Sequence, residues 1–224
     1  MDGIGEYAFD DELLAAVQGG APAQLKIYTL DQTVVVLGRG SRPELELDLA
    51  ACRADGIPVL RRRGGGCSVV VDPGNAIVST VLPLEGYGSS ATYMRSLSAW
   101  LMDGLRRLGL GEVGCAGVSD LVLGDRKISG ACIYRARGLL YYSATLLVNP
   151  EPSLLGRYLS HPPREPGYRA GRGHAEFVGR IALPGLESAP ALVHALRGTL
   201  AVPSVSELAG EGEKKACARG PGLA

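Results

Sequence analysis

The stretch RRRGGGCSVV, residues 61–70, sets three arginines directly before three glycines and a run of strand-forming residues. Successive glycines let backbone N–H groups converge on one point, and arginine adds a fixed fork of donors suited to phosphate or carboxylate. A solvated basic turn is the alternative interpretation, because a glycine run alone is a weak signal. The segment therefore indicates a candidate anion site.

A second candidate is the segment DLVLGDRKISG, residues 120–130, in which a Gly-Asp pair predicts a turn between two strands. The return strand begins with Lys127, close to the small residues Ser129 and Gly130. A lysine held there can reach an acyl-phosphate without steric conflict, and Asp120 on the outgoing strand can reach the same place. The alternative is an exposed lysine that protects an edge strand from aggregation.

The elements that must position these residues follow from periodicity and turn signals. Predicted helices span 8–18, 46–56, 90–108, 151–159 and 189–201, and predicted strands span 25–30, 33–40, 57–63 and 138–149. Residues 67–83 and 120–130 are predicted hairpins, the first through a type II turn at 72–75. We therefore predict an α+β domain with a mainly antiparallel or mixed β-sheet and flanking helices.

Composition excludes several classes of protein. The 23 basic and 23 acidic residues balance, so no basic field points to nucleic acid, and no apolar run is long enough for a membrane span. The five cysteines form no CxxC pair, which argues against a zinc knuckle or a disulfide framework. A cytoplasmic protein is expected, with one domain at 1–204, a tail at 205–224 and no separate large accessory domain.

The blocks TVVVLGRG, VLRRRGGGCSVVVDPGNAIVSTVLP, SDLVLGDRKISGACIYRARG and LLYYSATLLVN occur in this order. Together they resemble the lipoate–protein ligase A family of the biotin/lipoyl protein ligase superfamily. The resemblance implies a class II synthetase-like catalytic domain that uses ATP and Mg²⁺ to activate lipoic acid, or octanoate, as acyl-AMP. It also implies transfer to a lysine of a lipoyl-acceptor protein, either a lipoyl domain or a glycine-cleavage H-like protein, with a small accessory subunit as a further partner.

The resemblance also implies a set of site residues. Lys127 is the implied catalytic residue, because a fixed cation stabilises the charge that develops on the α-phosphate. The implied substrate- and nucleotide-binding residues are Arg61, Arg62, Gly64, Gly65, Gly66, Cys67, Val71, Asp72, Asp120, Ser129, Gly130, Ala144 and Arg172. The dithiolane slot is expected from 68–71 and 77–81, and no metal ligand is assigned. The basic loop 161–174 is expected to close over the adenylate, a solvated connector being the alternative.

The chain departs from the family pattern at two histidine positions, which are Val71 and Ser143 here. This departure keeps two other functions open. One is a cysteine-dependent octanoyl or lipoyl transferase with Cys115, or less favourably Cys67, as the nucleophile. The other is a non-catalytic protein that binds lipoyl-AMP or lipoyl domains.

Overall fold

The computed structural model describes residues 3–84, 89–136, 138–204 and 208, which form two β-sheets with flanking helices. The strands are β1 (Ile4–Glu6), β2 (Gln24–Tyr28), β3 (Val34–Leu37), β4 (Val59–Arg61), β5 (Val69–Val71), β6 (Asn75–Pro83), β7 (Val113–Ala116), β8 (Asp120–Leu123), β9 (Arg126–Ala136) and β10 (Leu139–Leu147). The helices are α1 (Asp11–Gln18), α2 (Pro43–Glu46), α3 (Leu49–Ala54), α4 (Ser90–Arg107), α5 (Pro152–Tyr158), α6 (His174–Phe177) and α7 (Ala189–Thr199), with a 3₁₀ turn at Gly167–Arg169. The predicted α+β class is confirmed.

The larger sheet is antiparallel, with the strand order β2-β6-β10-β9-β8-β7. The smaller sheet has the order β1-β4-β3-β5 and is mixed, because β4 runs parallel to both β1 and β3 while β5 runs antiparallel to β3. Strand β9 lies between β8 and β10, so Lys127 does not sit on an edge strand. The edge-strand interpretation of this lysine was therefore wrong.

The predicted hairpin at 67–83 was also wrong, because its two strands belong to different sheets. Strand β5 pairs with β3, whereas β6 pairs with β2 and β10. A turn does form, since the Asn75 N–H donates to the Asp72 carbonyl at 3.0 Å. It is not the predicted type II turn, because Gly74 lacks the positive φ that this turn requires. A Cβ at Gly74 would lie 1.9 Å from the Asn149 carbonyl oxygen, so close packing requires the glycine.

Helix α4 confirms the prediction from apolar spacing. It begins after Ser89, whose side chain accepts a hydrogen bond from the Thr92 N–H at 3.1 Å, as a helix N-cap does. Its fully buried residues Leu97, Leu101 and Leu105 belong to the main hydrophobic core. The helix predicted at 46–56 is shorter, because α3 covers only Leu49–Ala54, and a separate helix, α2, ends at Glu46. None of the helices in the described part of the chain is both long and apolar enough to cross a bilayer.

The chain after residue 160 includes the expected basic loop and the expected tail. The expected loop after residue 160 contains the 3₁₀ turn and α6, and we refer to residues 161–179 as the lid segment. The Gly179 N–H donates to the Lys127 carbonyl at 2.8 Å, which docks the lid segment against β9. Of the tail expected at 205–224, only Leu208 lies within the described residues, and it is buried in the main core.

Candidate active site

A cavity of about 440 Å³ opens between residues of both sheets and the lid segment. Its volume lies within the usual range of small-molecule sites, about 300–1,000 Å³. Strand β10 runs along it, and its alternate residues Tyr141, Ser143, Thr145 and Leu147 all line it, since alternate side chains share one face of a strand. Tyr141 and Leu147 are six residues apart, which corresponds to about 20 Å along the strand. The cavity is therefore long enough for two ligand groups end to end.

The middle of the cavity holds an ion pair. The Lys127 ammonium lies 2.8 Å from Asp120 Oδ1, and both residues line the cavity. The strand register sets Gly130 opposite both Asp120 and Thr145. A Cβ at Gly130 would lie 2.9 Å from Lys127 Nζ, so the glycine leaves room for the lysine side chain to lie across β9. The ammonium therefore sits beside Thr145, between the two ends of the cavity.

The glycine loop reaches the cavity at its C-terminal end only. Gly66 and Cys67 line the cavity, and Gly66 has a φ of 93°, which favours glycine. Gly64 and Gly65 do not line it. A Cβ at Gly64 would lie 2.6 Å from Cys132 Sγ, so this glycine serves close packing against β9.

The two arginines expected to bind phosphate make hydrogen bonds to backbone carbonyls instead. Arg61 donates to three carbonyl oxygens of the loop 38–41 and does not line the cavity. Arg62 lines the cavity, but it donates to the carbonyls of Gly65 at 2.7 Å and Cys67 at 2.9 Å. Both guanidinium groups therefore fix the shape of the loop, which corrects the direct role expected for Arg61.

The structure adds Glu46, which no motif in the sequence indicated. The side chain lines the cavity, and its Oε2 accepts hydrogen bonds from the Ser41 hydroxyl (2.9 Å), the Ser68 N–H (2.8 Å) and the Ser68 hydroxyl (2.7 Å). Burial alone would raise the pKa of Glu46, but these hydrogen bonds, with one from the Arg42 N–H, hold it below its ordinary value. The carboxylate therefore anchors the strand end that follows the glycine loop.

The Leu147 end of the cavity is mostly apolar. Strand β5 contributes Val71 and its neighbours, so residues 68–71, where the dithiolane slot was expected, line this end of the cavity. Asn75, which sequence analysis did not select, also lines this end. Its amide nitrogen donates to the Asp72 carbonyl and carboxylate, while its Oδ1 is buried and has no hydrogen-bond partner among the described residues. Asp72 itself is fixed by the N–H groups of Gly74 and Glu151.

The opposite end of the cavity is rich in hydroxyl groups. Tyr7, Tyr141 and Ser143 line it, together with the buried thiol of Cys132, and we call this region the hydroxyl end. Burial raises the pKa of the Cys132 thiol, so this group is not an activated thiolate. The residues 77–81 expected in a dithiolane slot do not line the cavity. That expectation was wrong because β10, which lies between β6 and β9, supplies this wall instead.

The lid segment supplies two groups to the site. Tyr168 donates a hydrogen bond to Asp120 Oδ2 at 2.8 Å, and burial together with Asp120 raises the pKa of this tyrosine. The Arg169 side chain is only 5% exposed and lines the cavity, and one of its terminal nitrogens has no hydrogen-bond partner in the described residues. Its guanidinium lies 4.9 Å from the centre of the Phe177 ring. Burial lowers the pKa of Arg169.

Arg172 does not line the cavity, although it was expected to bind nucleotide. Its guanidinium pairs with the Asp125 carboxylate at 2.7 Å, and it donates to the Tyr168 carbonyl at 2.9 Å. Arg172 therefore ties the lid segment to the β8–β9 turn. Arg164 and Arg169, the other two arginines expected to close over the adenylate phosphates, do line the cavity.

Two further expectations fail because of strand alternation. Ser129 and Ala144 are buried and do not line the cavity, since they lie on the opposite strand faces from Gly130 and Thr145. Ala144 packs in the main core.

Cys115, the candidate nucleophile, does not line the cavity either. Its thiol contacts Met102 Sδ at 3.4 Å on the side of helix α4. Cys67 does line the cavity, where its thiol lies 3.5 Å from the Arg164 carbonyl. The transferase alternative therefore loses its preferred nucleophile.

Residues 4–182 match the sequence model of the family described as the lipoyl protein ligase A/B catalytic domain. Lipoate-protein ligase A of Psychrobacter cryohalolentis is 33% identical over 129 residues, which cover 57% of this chain and 36% of that protein. Lipoate-protein ligase A subunit 1 of Thermoplasma acidophilum is 27% identical over 164 residues, which cover 69% of this chain and 62% of that protein. The chain thus spans 36% and 62% of these two relatives.

Solved structures give the same fold. One belongs to an archaeal lipoylation system of Thermoplasma acidophilum, a bipartite lipoate protein ligase and its E2 lipoyl domain. It matches with a TM-score of 0.66 at 22% identity, over 96% of this chain and 93% of the other. A lipoate-protein ligase A bound with ATP matches with a TM-score of 0.65 at 23% identity, over 96% of both chains. At this level of identity the similarity establishes the fold.

Proposed function

This chain belongs to the lipoyl protein ligase A/B catalytic-domain family, and from that premise we propose that it is an ATP-dependent lipoate–protein ligase. The observation that carries the proposal is the position of Lys127. Its ammonium lies beside Thr145, between the apolar end of the cavity at Leu147 and the hydroxyl end at Tyr141. An acyl-adenylate has the same layout, with a phosphate between a purine and an acyl chain.

The purine of ATP is assigned to the apolar end. A flat, largely apolar base suits walls of valine and leucine, and adenine carries an exocyclic amine that needs an acceptor. The buried Asn75 Oδ1 is an acceptor without a partner in the described residues, and such a group costs free energy until it is paired. The acyl chain then lies toward Tyr141, and the α-phosphate lies beside Lys127 and Gly66.

Lys127 acts in the first chemical step. A carboxylate oxygen of the acid attacks the α-phosphorus, the bond from that phosphorus to the bridging oxygen breaks, and pyrophosphate leaves with the electron pair. Negative charge increases on the α-phosphate oxygens, and the fixed ammonium stabilises it. Asp120 holds the ammonium in place at 2.8 Å.

The second step transfers the acyl group to the acceptor. A neutral lysine amine of the acceptor attacks the acyl carbon, the carbon–oxygen bond to the phosphate breaks, and AMP leaves. The new amide nitrogen loses a proton to solvent or to AMP. Lys127 also stabilises the carbonyl oxygen while the tetrahedral intermediate is present.

The lid segment contributes the second cation. Arg169 is buried in the cavity wall, where its Nε lies 3.5 Å from the Glu165 carboxylate, and one terminal nitrogen has no hydrogen-bond partner among the described residues. A phosphate oxygen there would gain a charge-assisted hydrogen bond. The lid segment also keeps water from a hydrolysable anhydride. We expect Arg169→Met to raise the KM for ATP about tenfold or more, while Arg172→Met changes it less.

Mg²⁺ is expected to enter with the triphosphate. In such sites this ion is bound by one or two carboxylates together with substrate phosphates and water. Asp120 and Glu165 line the cavity and provide oxygen ligands of the type that Mg²⁺ prefers. The ion would neutralise charge on the triphosphate. Within the described residues, no three His, Cys, Asp or Glu side chains form a preformed metal site.

The acceptor is proposed to be a protein with an exposed lysine on a lipoyl domain or a glycine-cleavage H-like protein. Support comes from the Thermoplasma acidophilum structure, which is named as a bipartite ligase and its E2 lipoyl domain. A relative of this chain is also named as subunit 1 of a ligase. A second subunit or domain is accordingly proposed as a partner.

Isotope exchange between pyrophosphate and ATP tests the proposed function. We expect exchange that depends on added lipoate or octanoate, and a loss of about a hundredfold or more in Lys127→Ala. The Cys115→Ser variant should retain the pyrophosphate–ATP exchange activity. Octanoyl transfer without ATP that disappears in Cys115→Ser would instead establish the transferase. Binding of lipoyl-AMP without either activity would establish a non-catalytic protein.

A further inference from the structure

The hydroxyl end of the cavity is backed by a buried carboxyl group. Tyr141 and Ser143 line the cavity, while Asp10 and Ser79 lie behind them. The Tyr141 hydroxyl donates to Asp10 Oδ2 at 2.6 Å, and the Ser79 hydroxyl donates to the same oxygen at 2.9 Å. Asp10 is only 2% exposed, although it carries a polar carboxyl group. This end of the cavity is therefore a hydrogen-bonded cluster and not an apolar cap.

Within this cluster the Tyr141 oxygen is left as an acceptor only. Each hydroxyl carries one hydrogen and two lone pairs, whereas a carboxylate only accepts. Since Tyr141 gives its single hydrogen to Asp10, its oxygen offers only lone pairs to a ligand. Asp10 Oδ1 has no hydrogen-bond partner in the described part of the chain. One of the Tyr7 and Tyr28 hydroxyls donates to the other at 2.9 Å, so the accepting hydroxyl keeps its own hydrogen.

The strand register shows which part of a substrate meets this cluster. Thr145 lies opposite Gly130, beside the Lys127 ammonium. Tyr141 is four residues further along β10, which corresponds to about 13 Å. An acid whose carboxylate is activated at Lys127 therefore directs the far end of a medium-length chain toward Tyr141. A plain alkyl end would cover these acceptors without replacing their hydrogen bonds to water, which is unfavourable.

On the basis of the proposed ligase function, we infer that this enzyme selects medium-chain carboxylic acids whose far end carries a hydrogen-bond donor. The donor is a hydroxyl, a thiol or an N–H group, and it binds the acceptor surface that Tyr141 and Ser143 present. One net hydrogen bond corresponds to a preference of roughly three- to tenfold over the same acid without the donor. The oxidised dithiolane ring has no such hydrogen, whereas the reduced dithiol has two.

Two matched pairs of acids test this inference in the pyrophosphate exchange assay. The pairs are 8-hydroxyoctanoate with octanoate, and dihydrolipoate with lipoate. We expect kcat/KM to be roughly three- to tenfold higher for the donor in at least one pair, and the pair that responds identifies the donor. In Tyr141→Phe this ratio should fall to about one, because the acceptor oxygen is gone.

A matched control separates this effect from a general loss of structure. Tyr158 also donates its hydroxyl to an aspartate, Asp55 at 2.7 Å, but lies outside the cavity. Tyr158→Phe should keep the donor preference. If Tyr141→Phe does not fold, Ser143→Ala provides the same comparison.

Four results are decisive. Equal kcat/KM values within both pairs of acids, or a donor preference that persists in Tyr141→Phe, overturn the inference and leave the ligase function intact. No exchange with any of the four acids overturns the ligase function and, with it, the inference. A donor preference that is lost in Tyr141→Phe but retained in Tyr158→Phe supports both the inference and the ligase function.

Discussion

The Gly130→Ala substitution is expected to displace the catalytic ammonium while leaving the stability of the fold almost unchanged. Gly130 lies on β9, opposite Asp120 and Thr145. A Cβ there would be 2.9 Å from Lys127 Nζ and 3.0 Å from its Cε. Ordinary contacts lie at about 3.5–4.0 Å, so the lysine side chain must retreat by roughly 0.5–1 Å. The atoms that move are at the end of a flexible side chain, so the backbone is not displaced.

The expected loss follows from this displacement. Misplacing a reacting group by about 1 Å can cost on the order of a hundredfold in rate, so we expect kcat/KM for pyrophosphate exchange to fall ten- to a hundredfold. That loss corresponds to about 1.4–2.7 kcal/mol of transition-state stabilisation. The free energy of unfolding should change by less than about 1 kcal/mol, because alanine also lowers the entropy of the unfolded chain.

The assay compares exchange rates and urea unfolding for Gly130→Ala and a control, Gly114→Ala. Gly114 lies on β7 of the same sheet, where a Cβ would sit 3.8 Å from Val122 Cγ2, an ordinary contact. The control should keep both activity and stability. Wild-type activity in Gly130→Ala would refute the position inferred for the ammonium. A large loss of stability would show that the lysine cannot retreat, and would refute the reasoning about flexibility.

Three further predictions follow from the site. Cys115→Ser should retain ligase activity within about twofold, because the thiol contacts Met102 outside the cavity; loss of turnover in steady-state kinetics would contradict this. Tyr168→Phe should lower kcat for exchange roughly three- to tenfold, since Asp120 loses a hydrogen bond; an unchanged kcat would contradict it. Glu46→Gln should lower the free energy of unfolding at neutral pH by about 1–3 kcal/mol. The pKa of Glu46 is depressed in the folded protein, so its contribution is present above the unfolded pKa of about 4.3 and is lost as the pH falls through the folded pKa. Urea unfolding should therefore show the two proteins converging in acid, and a constant difference would argue against this.

Local sequence signals predicted the elements whose contacts are local. The spacing of Leu97, Leu101 and Leu105 identified α4, and the Gly-Asp pair identified the β8–β9 turn. The hairpin at 67–83 failed for the opposite reason. Turn chemistry indicates that the chain reverses, but it does not specify which distant strand each arm will join. Strand β5 joins β3, from an earlier part of the chain, and β6 joins β2 and β10.

The residues of the site fall into the same two groups, since a local sequence block indicated some of them and distant contacts bring in the others. Lys127, Asp120 and Gly130 lie within eleven consecutive residues, so one sequence block contained them. Glu46 reaches Ser68 from 22 residues away, and Tyr168 reaches Asp120 from 48 residues away, so no local pattern could indicate these two contacts. The error at Ala144 was avoidable, because alternation along a strand gives it the opposite face from Ser143 and Thr145. The error at Ser129 was not, because a register shift between Lys127 and Ser129 breaks the alternation on β9.

The most direct test of the central claim is a crystal structure with a non-hydrolysable lipoyl-adenylate analogue. We expect Lys127 Nζ within about 2.7–3.2 Å of an oxygen of the phosphate mimic. The adenine should contact Asn75 near Leu147, and the acyl chain should extend toward Tyr141. An analogue bound with its phosphate mimic away from Lys127, or with its adenine at Tyr141, would contradict the proposed site.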